Sequence, residues 1–444
     1  MAPPTILIVG CSIAGPTLAS FLLLSPLPAS QKPHITILER SSALRTQGQN
    51  IDIRGAGITI IRKLGLEAVI RASTTGEEGV QFVDKEGKVW AAFPADRSGK
   101  LSTPTADIEI MRGRLAEICW RRSESISEDV QRDGGKGIEY VFGDYLDELE
   151  QDGEKVHVRF AKSGERRSFD LVVGADGLQS RTRSMAWGAQ GEEDRVKRLG
   201  MYGAFFSMPK EKTDSAWRKW FHASGRRGVM LRPDEQRGKT TVFMYVVNEA
   251  DDRLMQVAEK GREDVKAQKR LMEEYFRDVG WESRRIIREM MATEDFYYDL
   301  VGQVKMDRWS KGRVALLGDA GYCASPISGM GTTLALSGAY NLAGALTRNP
   351  NDYTAAFSEY EAKMRPVVDR AQRLVPGMPH ILNPETAWGV WILNTIVFLL
   401  AQSGLIHLVI RYVGPPANTV PVEEYGFKKL PEWTDSADDS VRRF

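Results

Sequence analysis

The hydrophobic positions near the start of the chain form two short apolar runs with a longer apolar stretch between them. A β-branched run at 5–9 is followed at 10–24 by a glycine-containing turn and a continuous apolar segment. Three prolines at 25–33 interrupt the pattern, and a second run at 35–38 ends at Glu39. Short apolar runs bounded by turn residues are typical of buried parallel strands, and the intervening segment has the length of a crossover helix. The chain is therefore predicted to begin with a βαβ unit.

Elsewhere the hydrophobic period is two, which predicts strands with one buried face. Apolar and polar residues alternate over 79–93 and over 228–247, each around a central turn sequence, so two hairpins are predicted. Residues 201–208 predict a further strand, and helix-favouring residues fill 250–292 and 353–374. An antiparallel sheet inserted into a parallel-sheet domain accounts for this order of elements.

The chain length and the order of these patterns predict an α/β fold with two interleaved domains. The 444 residues exceed the usual length of one domain, about 100 to 200 residues. The predicted parts are a Rossmann-like nucleotide-binding domain, an antiparallel-sheet substrate domain and a C-terminal helical extension. The nucleotide-binding domain takes residues 1–75, 101–185 and 301–375, the substrate domain takes 76–100 and 186–300, and the helical extension and tail take 376–444.

Charge and cysteine content narrow the possible function classes. The 60 Lys and Arg residues against 59 Asp and Glu give a formal net charge of +1, which offers no overall attraction to nucleic acid. Cys11, Cys119 and Cys323 are far apart without CxxC spacing, and the five histidines form no HxxxH pattern. This distribution argues against a disulfide framework and against a metal site. A small-molecule partner and a cytoplasmic location are predicted, with no nucleic-acid partner.

The apolar stretch at 388–413 raises the question of membrane contact. Its length is near the ~20 residues that cross a bilayer, but Asn394, Gln402 and the Ser-Gly pair at 403–404 interrupt it. Two short helices covering a substrate cavity are therefore predicted. An interfacial helix that gives peripheral membrane association is the first alternative, and a transmembrane anchor is the second.

The turn after the first predicted strand carries the first functional signal. Gly10 suits a tight turn, Gly15 permits close packing of helix on sheet, and Ser12 stands where the usual G-x-G-x-x-G fingerprint has its middle glycine. A serine still leaves room beside a pyrophosphate, which amides at the helix start would bind. Glu39 follows Gly15 by 24 residues, close to the spacing at which an acidic residue binds the ribose of an adenine dinucleotide. The segment predicts a dinucleotide site.

Two later segments each end an apolar strand with glycine and aspartate. Asp176 lies in the Ala-Asp-Gly end of 170–177, and Asp319 lies in the Gly-Asp-Ala end of 313–320. After Asp319 a glycine-containing turn opens an apolar helix, where the backbone can approach a planar ligand and helix amides can stabilise its negative charge. The cofactor contacts predicted in this turn are Pro326, Gly329, Gly331 and Thr332. Three such segments in this order predict a site for one FAD, so the first predicted domain is an FAD-binding domain.

Together these segments resemble the class A FAD-dependent monooxygenases, the aromatic hydroxylase type that includes tetracycline-modifying and natural-product tailoring enzymes. The resemblance covers residues 5–345 and implies one active-site cavity between an FAD domain and a substrate domain. It implies that Gly10, Ser12 and Gly15 contact the pyrophosphate, Glu39 and Arg40 the adenosine end, Asp319 the ribityl chain and pyrophosphate, and Arg112 the flavin. Arg54 is a candidate catalytic residue, because the stretch 49–55 would run past the flavin ring, where Arg54 could contact the ring or a phosphate of NADPH.

The resemblance also implies a reaction. NADPH or NADH would reduce the FAD, and one atom of O2 would enter an aromatic or polycyclic small molecule, predicted to be a secondary metabolite, by hydroxylation, epoxidation or Baeyer-Villiger insertion. Side chains of the predicted substrate sheet that could line the cavity are Tyr202, His222, Tyr245, Phe296, Tyr297 and Tyr298, with Tyr202 as the catalytic candidate. Two alternatives stay open: a non-oxygenating dehydrogenase or reductase on the same fold, and a flavin-holding binding protein without turnover.

Overall fold

The computed structural model describes residues 2–45, 48–95, 108–375, 377–403 and 422–434. Its strands are β1 Thr5–Val9, β2 His34–Glu39, β3 Asn50–Ile53, β4 Gly79–Val83, β5 Val89–Pro94, β6 Ile108–Met111, β7 Ile138–Phe142, β8 Leu146–Gln151, β9 Val156–Phe160, β10 Arg166–Phe169, β11 Leu171–Gly174, β12 Val196–Pro209, β13 Arg218–Ala223, β14 Arg227–Asp234, β15 Lys239–Val247, β16 Phe296–Val304, β17 Ser310–Lys311 and β18 Val314–Leu316. Its helices are α1 Ala14–Leu23, α2 Ala56–Lys63, α3 Glu67–Ala72, α4 Arg112–Arg132, α5 Arg181–Trp187, α6 Glu192–Arg195, α7 Asp252–Glu259, α8 Val265–Phe276, α9 Ser283–Ala292, α10 Asp319–Tyr322, α11 Gly331–Arg348, α12 Tyr353–Ala371 and α13 Ala387–Ser403.

Strand β1 lies inside a six-stranded sheet with the order β17-β18-β11-β1-β2-β7, parallel except for the short β17. Ile6 and Ile8 point into a core formed with helices α1, α4 and α11. Leu7 and Val9 point the other way, into a core formed with the three-stranded sheet β10-β9-β8. A strand that is buried on both faces needs a continuous apolar sequence, as the run at 5–9 provides. The predicted βαβ unit is confirmed.

The second large sheet has seven strands in the order β16-β12-β15-β14-β13-β4-β5. Both predicted hairpins form, since β4 pairs with β5 and β14 pairs with β15 in antiparallel fashion. Strand β4 comes from the earlier stretch of chain and pairs in parallel with β13, so two separate segments build one sheet. Helices α7, α8 and α9 pack on one face of it. The interleaved α/β architecture is confirmed, whereas the residue boundaries between the domains stay a prediction.

A two-stranded ribbon joins these two sheets. Strands β3 and β6 pair in antiparallel fashion, and Asn50 lies opposite Met111. The Asn50 side chain reaches the seven-stranded sheet, where the Thr241 hydroxyl donates to its Oδ1 at 2.6 Å. After β3 the chain contacts α11, because the Arg54 N–H donates to the Thr333 hydroxyl at 3.1 Å. The ribbon and the residue after it therefore contact both the seven-stranded sheet and helix α11, which packs on the parallel sheet.

Within the described residues the C-terminal extension has the helix α13, which covers the first part of a stretch that was predicted to be interrupted at Asn394, Gln402 and the Ser-Gly pair at 403–404. Helix α13 packs on strands β5 and β13, and Asn394 is buried, so this polar residue does not interrupt the helix. The helix ends at Ser403, and residues 404–413 of the predicted stretch lie outside the described residues. No helix within the described ranges is long and apolar enough to cross a membrane.

The segment 422–434 returns to the helices on the parallel sheet. The Tyr425 hydroxyl donates to Asn341 Oδ1 on α11 at 2.8 Å, and a Cβ at Gly344 would lie 2.4 Å from the Tyr425 ring. The Trp433 N–H donates to the carbonyl of Gly65 at 2.7 Å. This part of the predicted tail is packed on the nucleotide-binding half, and residues 435–444 lie outside the described residues.

Candidate active site

A cavity of about 480 Å³ lies between the carboxyl edge of the parallel sheet and one face of the seven-stranded sheet. Its walls include Ser12 from the loop after β1, Gly177 after β11 and Asp319 after β18, with Phe243 of β15 across from them. Open α/β sheets bind ligands at the carboxyl ends of their strands, and the volume is within the usual range for small-molecule sites. The three segments that the sequence predicted to act together meet at this cavity.

Close backbone contacts explain the glycines of the first turn. Gly10 has a φ of +115°, and a Cβ at this residue would lie 2.5 Å from the carbonyl oxygen of Ala175. A Cβ at Gly15 would lie 2.1 Å from the carbonyl oxygen of Gly10. Both distances are far below a normal contact, so only glycine lets this turn pack against the loop after β11. The same turn brings Ser12 and Ala14 to the cavity wall, beside the start of α1.

The loop after β18 supplies the adjoining wall. Five residues predicted to contact the cofactor line the cavity here, namely Asp319, Pro326, Gly329, Gly331 and Thr332. Gly331 and Thr332 are the first residues of the 18-residue helix α11. The unpaired amides and the positive dipole end of this helix therefore lie at the cavity, where they stabilise negative charge. Gly329 has a φ of +61°, a conformation that favours glycine.

Two arginines reach the cavity from the β3–β6 ribbon. Arg112 begins α4, and its N–H donates to the Gln49 carbonyl at 3.0 Å. Arg54 follows β3, and its guanidinium donates to Asp52 at 2.8 Å. The Thr333 hydroxyl donates to the Arg54 carbonyl at 3.1 Å and accepts from its N–H. Arg54 is thus held both by a carboxylate and by helix α11.

Glu39 and Arg40 lie at the end of β2, outside the cavity wall. Glu39 accepts hydrogen bonds from the Cys11 N–H at 3.0 Å and from the Ser41 N–H at 2.9 Å. The carboxylate therefore joins β2 to the turn after β1, at the edge where the adenosine end is predicted. Arg40 is exposed. Their predicted contacts with a nucleotide stay predictions.

Asp176 uses its carboxylate within the protein. It accepts from the Ser180 hydroxyl at 2.5 Å and from the Thr182 N–H at 3.0 Å, so it stabilises the start of α5. Its neighbours Ala175 and Gly177 line the cavity, whereas Asp176 does not. The Ala-Asp-Gly pattern therefore has a structural reason besides any contact with the cofactor.

The facing wall is formed by aromatic side chains of the seven-stranded sheet. The rings of Phe205 and Phe243 are stacked with centroids 4.2 Å apart and planes 5° from parallel. Tyr245 and Trp220 continue this surface, and the Trp220 indole N–H donates to the Tyr245 hydroxyl at 2.7 Å. Flat rings in offset or tilted stacks bind planar ligands well. We call Phe205, Trp220, Phe243 and Tyr245 the aromatic wall.

A buried cluster of four charged side chains adjoins the aromatic wall. The Arg218 guanidinium contacts Glu77 at 2.6 Å and Glu109 at 3.1 Å, and Arg232 contacts the same two carboxylates. Burial raises the pKa of Glu77. Burial also acts to raise the pKa of Glu109, but the guanidiniums of Arg232 and Arg218 lower it to about 2. Sequence reasoning missed this cluster. The strand that carries Arg218 was not predicted, and the available signal was Arg232 within the apolar pattern of the predicted hairpin 228–247.

The structure corrects the predicted placement of Tyr202. Successive residues of a strand point to opposite faces, and on β12 it is Met201 that shares a core with Tyr245. Tyr202 lies in the core below helices α7, α8 and α9, together with Phe296 and Tyr298. Burial there raises the pKa of Tyr202. Of the six aromatic and histidine candidates, Tyr245 lines the cavity, and the rest are absent from its wall.

His222 lies beside the aromatic wall, two residues from Trp220 on the same face of β13, and is absent from the cavity lining. Its ring stacks at 5.1 Å from Trp220 and at 6.0 Å from Phe82. Neither ring nitrogen has a hydrogen-bond partner within the described part of the chain. Burial lowers the pKa of His222 to about 4, so the imidazole is neutral at physiological pH.

The cavity is covered from the C-terminal side by the segment 378–383. Met378, Pro379, Leu382 and Asn383 are in its wall. The Asn383 side-chain amide donates to the Pro379 carbonyl at 2.8 Å, which gives the segment a compact turn. Two short helices within 388–413 were predicted to cover the cavity. The described part of that stretch, α13, packs on β5 and β13 and is absent from the cavity wall, whereas residues 404–413 lie outside the described residues.

The residues that line the cavity fit an FAD. A glycine turn that admits no side chain, an α-helix start and two arginines supply the donors that pyrophosphate and a reduced flavin require. The flat aromatic wall faces them across the cavity. The sequence profile of the FAD binding domain family matches residues 4–374 of this chain.

Known proteins are similar to this chain in sequence and in fold over nearly their whole length. The FAD-dependent monooxygenase asL6 of Sarocladium schorii is 35% identical over 425 residues, which are 95% of this chain and 97% of that protein. Monooxygenase CTB7 of Cercospora beticola is 34% identical over 89% of this chain and 93% of its own length. The crystal structure of tetracycline destructase Tet(51) is 29% identical, with a TM-score of 0.71, and the match covers 96% of this chain and 100% of that one. The chain therefore belongs to the FAD binding domain family and is an FAD-dependent monooxygenase.

Proposed function

We propose that this enzyme uses NADPH or NADH and O2 to insert one oxygen atom into an aromatic or polycyclic secondary metabolite. The observation that carries this proposal is the pairing of two unlike walls across one cavity. The wall with Gly331 and Thr332 presents backbone and a helix start, whereas the aromatic wall presents stacked rings. A planar substrate on the aromatic wall would face a flavin on the other wall.

The name of one relative supports the polycyclic substrate class. The solved neighbour Tet(51) is a tetracycline destructase, and tetracycline is a polycyclic compound with an aromatic ring. The choice among hydroxylation, epoxidation and Baeyer-Villiger insertion, and between NADPH and NADH, is part of the proposal.

The residues of this chain have distinct proposed tasks toward the cofactor. Gly10, Ser12 and Gly15 would admit the pyrophosphate, Glu39 and Arg40 would bind the adenosine end, and Asp319 would contact the ribityl chain. Arg112, Asp176 and the turn with Pro326, Gly329, Gly331 and Thr332 would complete the site. When bound, FAD supplies hydride acceptance and the activation of O2. Arg54, held by Asp52 and Thr333, would orient the flavin ring or a phosphate of the nicotinamide cofactor.

Water exclusion is the second task of the protein. The cover segment 378–383 and the aromatic wall enclose the cavity with apolar side chains such as Met378 and Phe243. Expelling water favours transfer of the oxygen atom to substrate over its loss as hydrogen peroxide. A loosened cover is expected to raise peroxide release relative to product.

Oxygen labelling tests the proposed reaction. The purified protein, loaded with FAD, is incubated under 18O2 with NADPH or NADH and a panel of phenolic and polycyclic metabolites. Mass spectrometry of the product should show one labelled oxygen atom, with peroxide measured in parallel. Product that is oxidised without label would instead support a dehydrogenase, and an FAD-loaded protein without NAD(P)H oxidation would support a binding protein.

We also propose a cytoplasmic location with peripheral membrane contact through α13. The described cysteines Cys11, Cys119 and Cys323 are all free thiols, which suits a reducing compartment. Trp388 and Trp391 on α13 are exposed, and tryptophan is favoured at lipid interfaces. Co-sedimentation with phosphatidylcholine vesicles is expected for the natural chain and reduced in a double variant with Trp388→Gln and Trp391→Gln. Equal sedimentation of both proteins would refute membrane contact through α13.

A further inference from the structure

Arg218 combines deep burial with an unused donor group. Its Nε donates to Glu77 at 3.1 Å, and its Nη2 contacts Glu77 at 2.6 Å and Glu109 at 3.1 Å. None of the hydrogen bonds of Arg218 within the described chain uses Nη1. Nη1 is also absent from the side-chain atoms that are sealed without a partner, so it keeps accessible surface. Arg218 is among the residues that line the cavity.

The neighbouring arginine of the same cluster, Arg232, also lines the cavity, but each of its guanidinium nitrogens has a partner in the protein. Arg232 uses Nε toward Glu77, Nη2 toward Glu109 and Nη1 toward the carbonyl of Asn50 at 3.3 Å. Arg218 therefore differs from Arg232 in one respect: its Nη1 has no partner within the described residues, so both N–H groups of that nitrogen remain for a ligand.

The two carboxylates orient Arg218. A guanidinium held by carboxylates on two sides cannot rotate freely, so the direction of Nη1 is fixed before a ligand arrives. Arg218 and Trp220 are two residues apart on β13 and therefore point to the same face of the sheet. The donor thus lies at the margin of the aromatic wall, in reach of a substituent on a ring stacked there.

The charges around Nη1 decide which kind of ligand oxygen can accept a hydrogen bond from it. Glu77 and Glu109 both contact Arg218, so a ligand carboxylate bound at Nη1 would lie close to two other carboxyl groups, which disfavours its negative charge. A carbonyl oxygen accepts a hydrogen bond and adds no net charge. A hydrogen bond from a charged donor to such an oxygen is stronger than one between neutral groups.

We propose that Arg218 is a specificity-determining residue whose Nη1 binds a neutral carbonyl oxygen on the substrate's aromatic ring system. The substrate class is thereby narrowed to aryl ketones, quinones and related ring carbonyls, with carboxylates disfavoured. This inference rests on the proposed aromatic substrate, but it concerns binding and can be tested apart from oxygen transfer. Fixing a carbonyl at the wall would also fix which ring carbon faces the flavin.

Three ligands of nearly equal shape test the proposal on the FAD-loaded protein. Dissociation constants are measured at neutral pH by calorimetry for 2-acetylnaphthalene, 2-isopropylnaphthalene and 2-naphthoate. The ketone is expected to bind about tenfold more tightly than the hydrocarbon, and the carboxylate no more tightly than the hydrocarbon. This comparison uses the natural chain, so it does not depend on whether any variant folds. The 18O2 experiment is separate, and its failure would leave this binding result interpretable.

Two lysine variants locate the donor. Arg218→Lys keeps a positive charge beside Glu77 and Glu109 but lacks the fork that presents Nη1. The ketone preference over the hydrocarbon is expected to fall to about twofold or less in this variant. Arg232→Lys disturbs the same cluster without touching the proposed donor, so it is expected to keep the preference. FAD content and thermal unfolding of both variants are measured first.

Several results would overturn the proposal. Equal affinities of the ketone and the hydrocarbon in the natural chain, tighter binding of the carboxylate, or no binding of the ketone would each refute it. A ketone preference that survives Arg218→Lys in folded, FAD-loaded protein would assign the donor to another residue. A ketone preference that is lost in Arg232→Lys but kept in Arg218→Lys would also assign the donor to a residue other than Arg218.

Discussion

The two walls of the cavity are built in different ways. The nucleotide side uses main-chain groups, and its side chains are removed where backbone segments meet, as at Gly10 and Gly15. The substrate side uses side chains from strands β12 to β15, which touch each other across the sheet, as Trp220 touches Tyr245. The first wall depends on a few short stretches of sequence. The second depends on which side chains the strand register brings together.

This difference decides how each wall responds to substitution. On the nucleotide side a single Cβ collides with backbone, which has no other place to go. On the substrate side the neighbours are side chains, which can adjust, unless the change leaves a buried charge or donor without a partner. The following predictions compare the two walls, from the largest expected effect to the smallest.

Gly10→Ala is expected to have the largest effect. The added Cβ would lie 2.5 Å from the carbonyl oxygen of Ala175, at a φ of +115° that alanine avoids. A loss of about 4 kcal/mol or more in the free energy of unfolding is expected, with little FAD bound after purification. Chemical denaturation and the visible flavin spectrum measure both effects.

Gly134→Ala is the matched control for Gly10→Ala. Gly134 has a φ of +86°, but no atom lies within 4 Å of the position that a Cβ would take there. The backbone strain alone is expected to cost about 1–2 kcal/mol, with FAD binding retained. Similar losses in the two variants would show that strain, and not the contact with Ala175, dominates at Gly10.

Glu109→Gln tests the buried charged cluster on the substrate side, where neighbouring side chains cannot move to replace a lost ionic contact. The amide is the same size as the carboxylate, but it leaves Arg218 and Arg232 with one negative partner, Glu77. Removing one member of a buried ionic network typically costs about 3–5 kcal/mol. The loss is expected in urea denaturation and should be accompanied by weaker substrate binding.

An exposed glutamate provides the control for Glu109→Gln. Glu148 pairs with Arg166 at 3.0 Å and with Arg159 at 2.7 Å on the surface of the three-stranded sheet. Glu148→Gln is expected to cost less than about 1 kcal/mol, because water and salt screen such pairs. A cost for Glu109→Gln that is no larger would mean that the buried cluster contributes little to folding.

The same contrast explains what the sequence could predict. The βαβ unit, both hairpins and the loops around Gly10, Asp319 and Gly331 follow from local runs and spacings, and the structure has them at those positions. The Glu77, Glu109, Arg218 and Arg232 cluster could not be predicted in this way. Glu109, Arg218 and Arg232 lie on three separate strands and Glu77 lies just before β4, so their contacts follow from strand order, which local patterns do not determine.

Two further differences have the same kind of cause. Tyr202 was placed at the cavity because its strand was predicted, but a strand has two faces and one step along it reverses the direction of the side chain. The cover was predicted within the apolar stretch 388–413, whereas the described residues of the C-terminal extension that line the cavity lie in 378–383. Apolar content predicts that a segment packs against something; it does not predict which surface.

His222→Phe tests the buried region beside the aromatic wall through the pH dependence of stability. Burial lowers the pKa of His222 from 6.5 to about 4, so the unfolded chain binds this proton first as pH falls. Between these values stability is lost as pH decreases, by about 2 kcal/mol between pH 7 and pH 5 from this residue. The variant cannot bind this proton, so its unfolding free energy is expected to change less over that interval.

An exposed histidine controls for general effects of pH. His157 on β9 is exposed and bonds to Ser168 and Asp152 at 2.8 Å each. His157→Gln is expected to keep the full pH dependence of the natural chain between pH 7 and pH 5. A weaker pH dependence of the unfolding free energy in His157→Gln, or an unchanged one in His222→Phe, would show that the buried imidazole of His222 is not its cause.

Tyr245→Phe and Tyr202→Phe compare the two faces of the seven-stranded sheet with one and the same chemical change. Tyr245 is on the cavity face, and its hydroxyl accepts the Trp220 indole N–H, so its loss leaves a donor unpaired within the aromatic wall. A drop of about tenfold in kcat/KM is expected for Tyr245→Phe.

Tyr202→Phe is expected to change kcat/KM by less than about twofold, because Tyr202 lies in the core below α7, α8 and α9. Steady-state turnover of the same substrate by both FAD-loaded variants measures the difference, which is the smallest one predicted. A larger loss in Tyr202→Phe than in Tyr245→Phe would mean that the chemistry depends on the helix-covered face, and it would return Tyr202 to the catalytic role that the sequence first indicated.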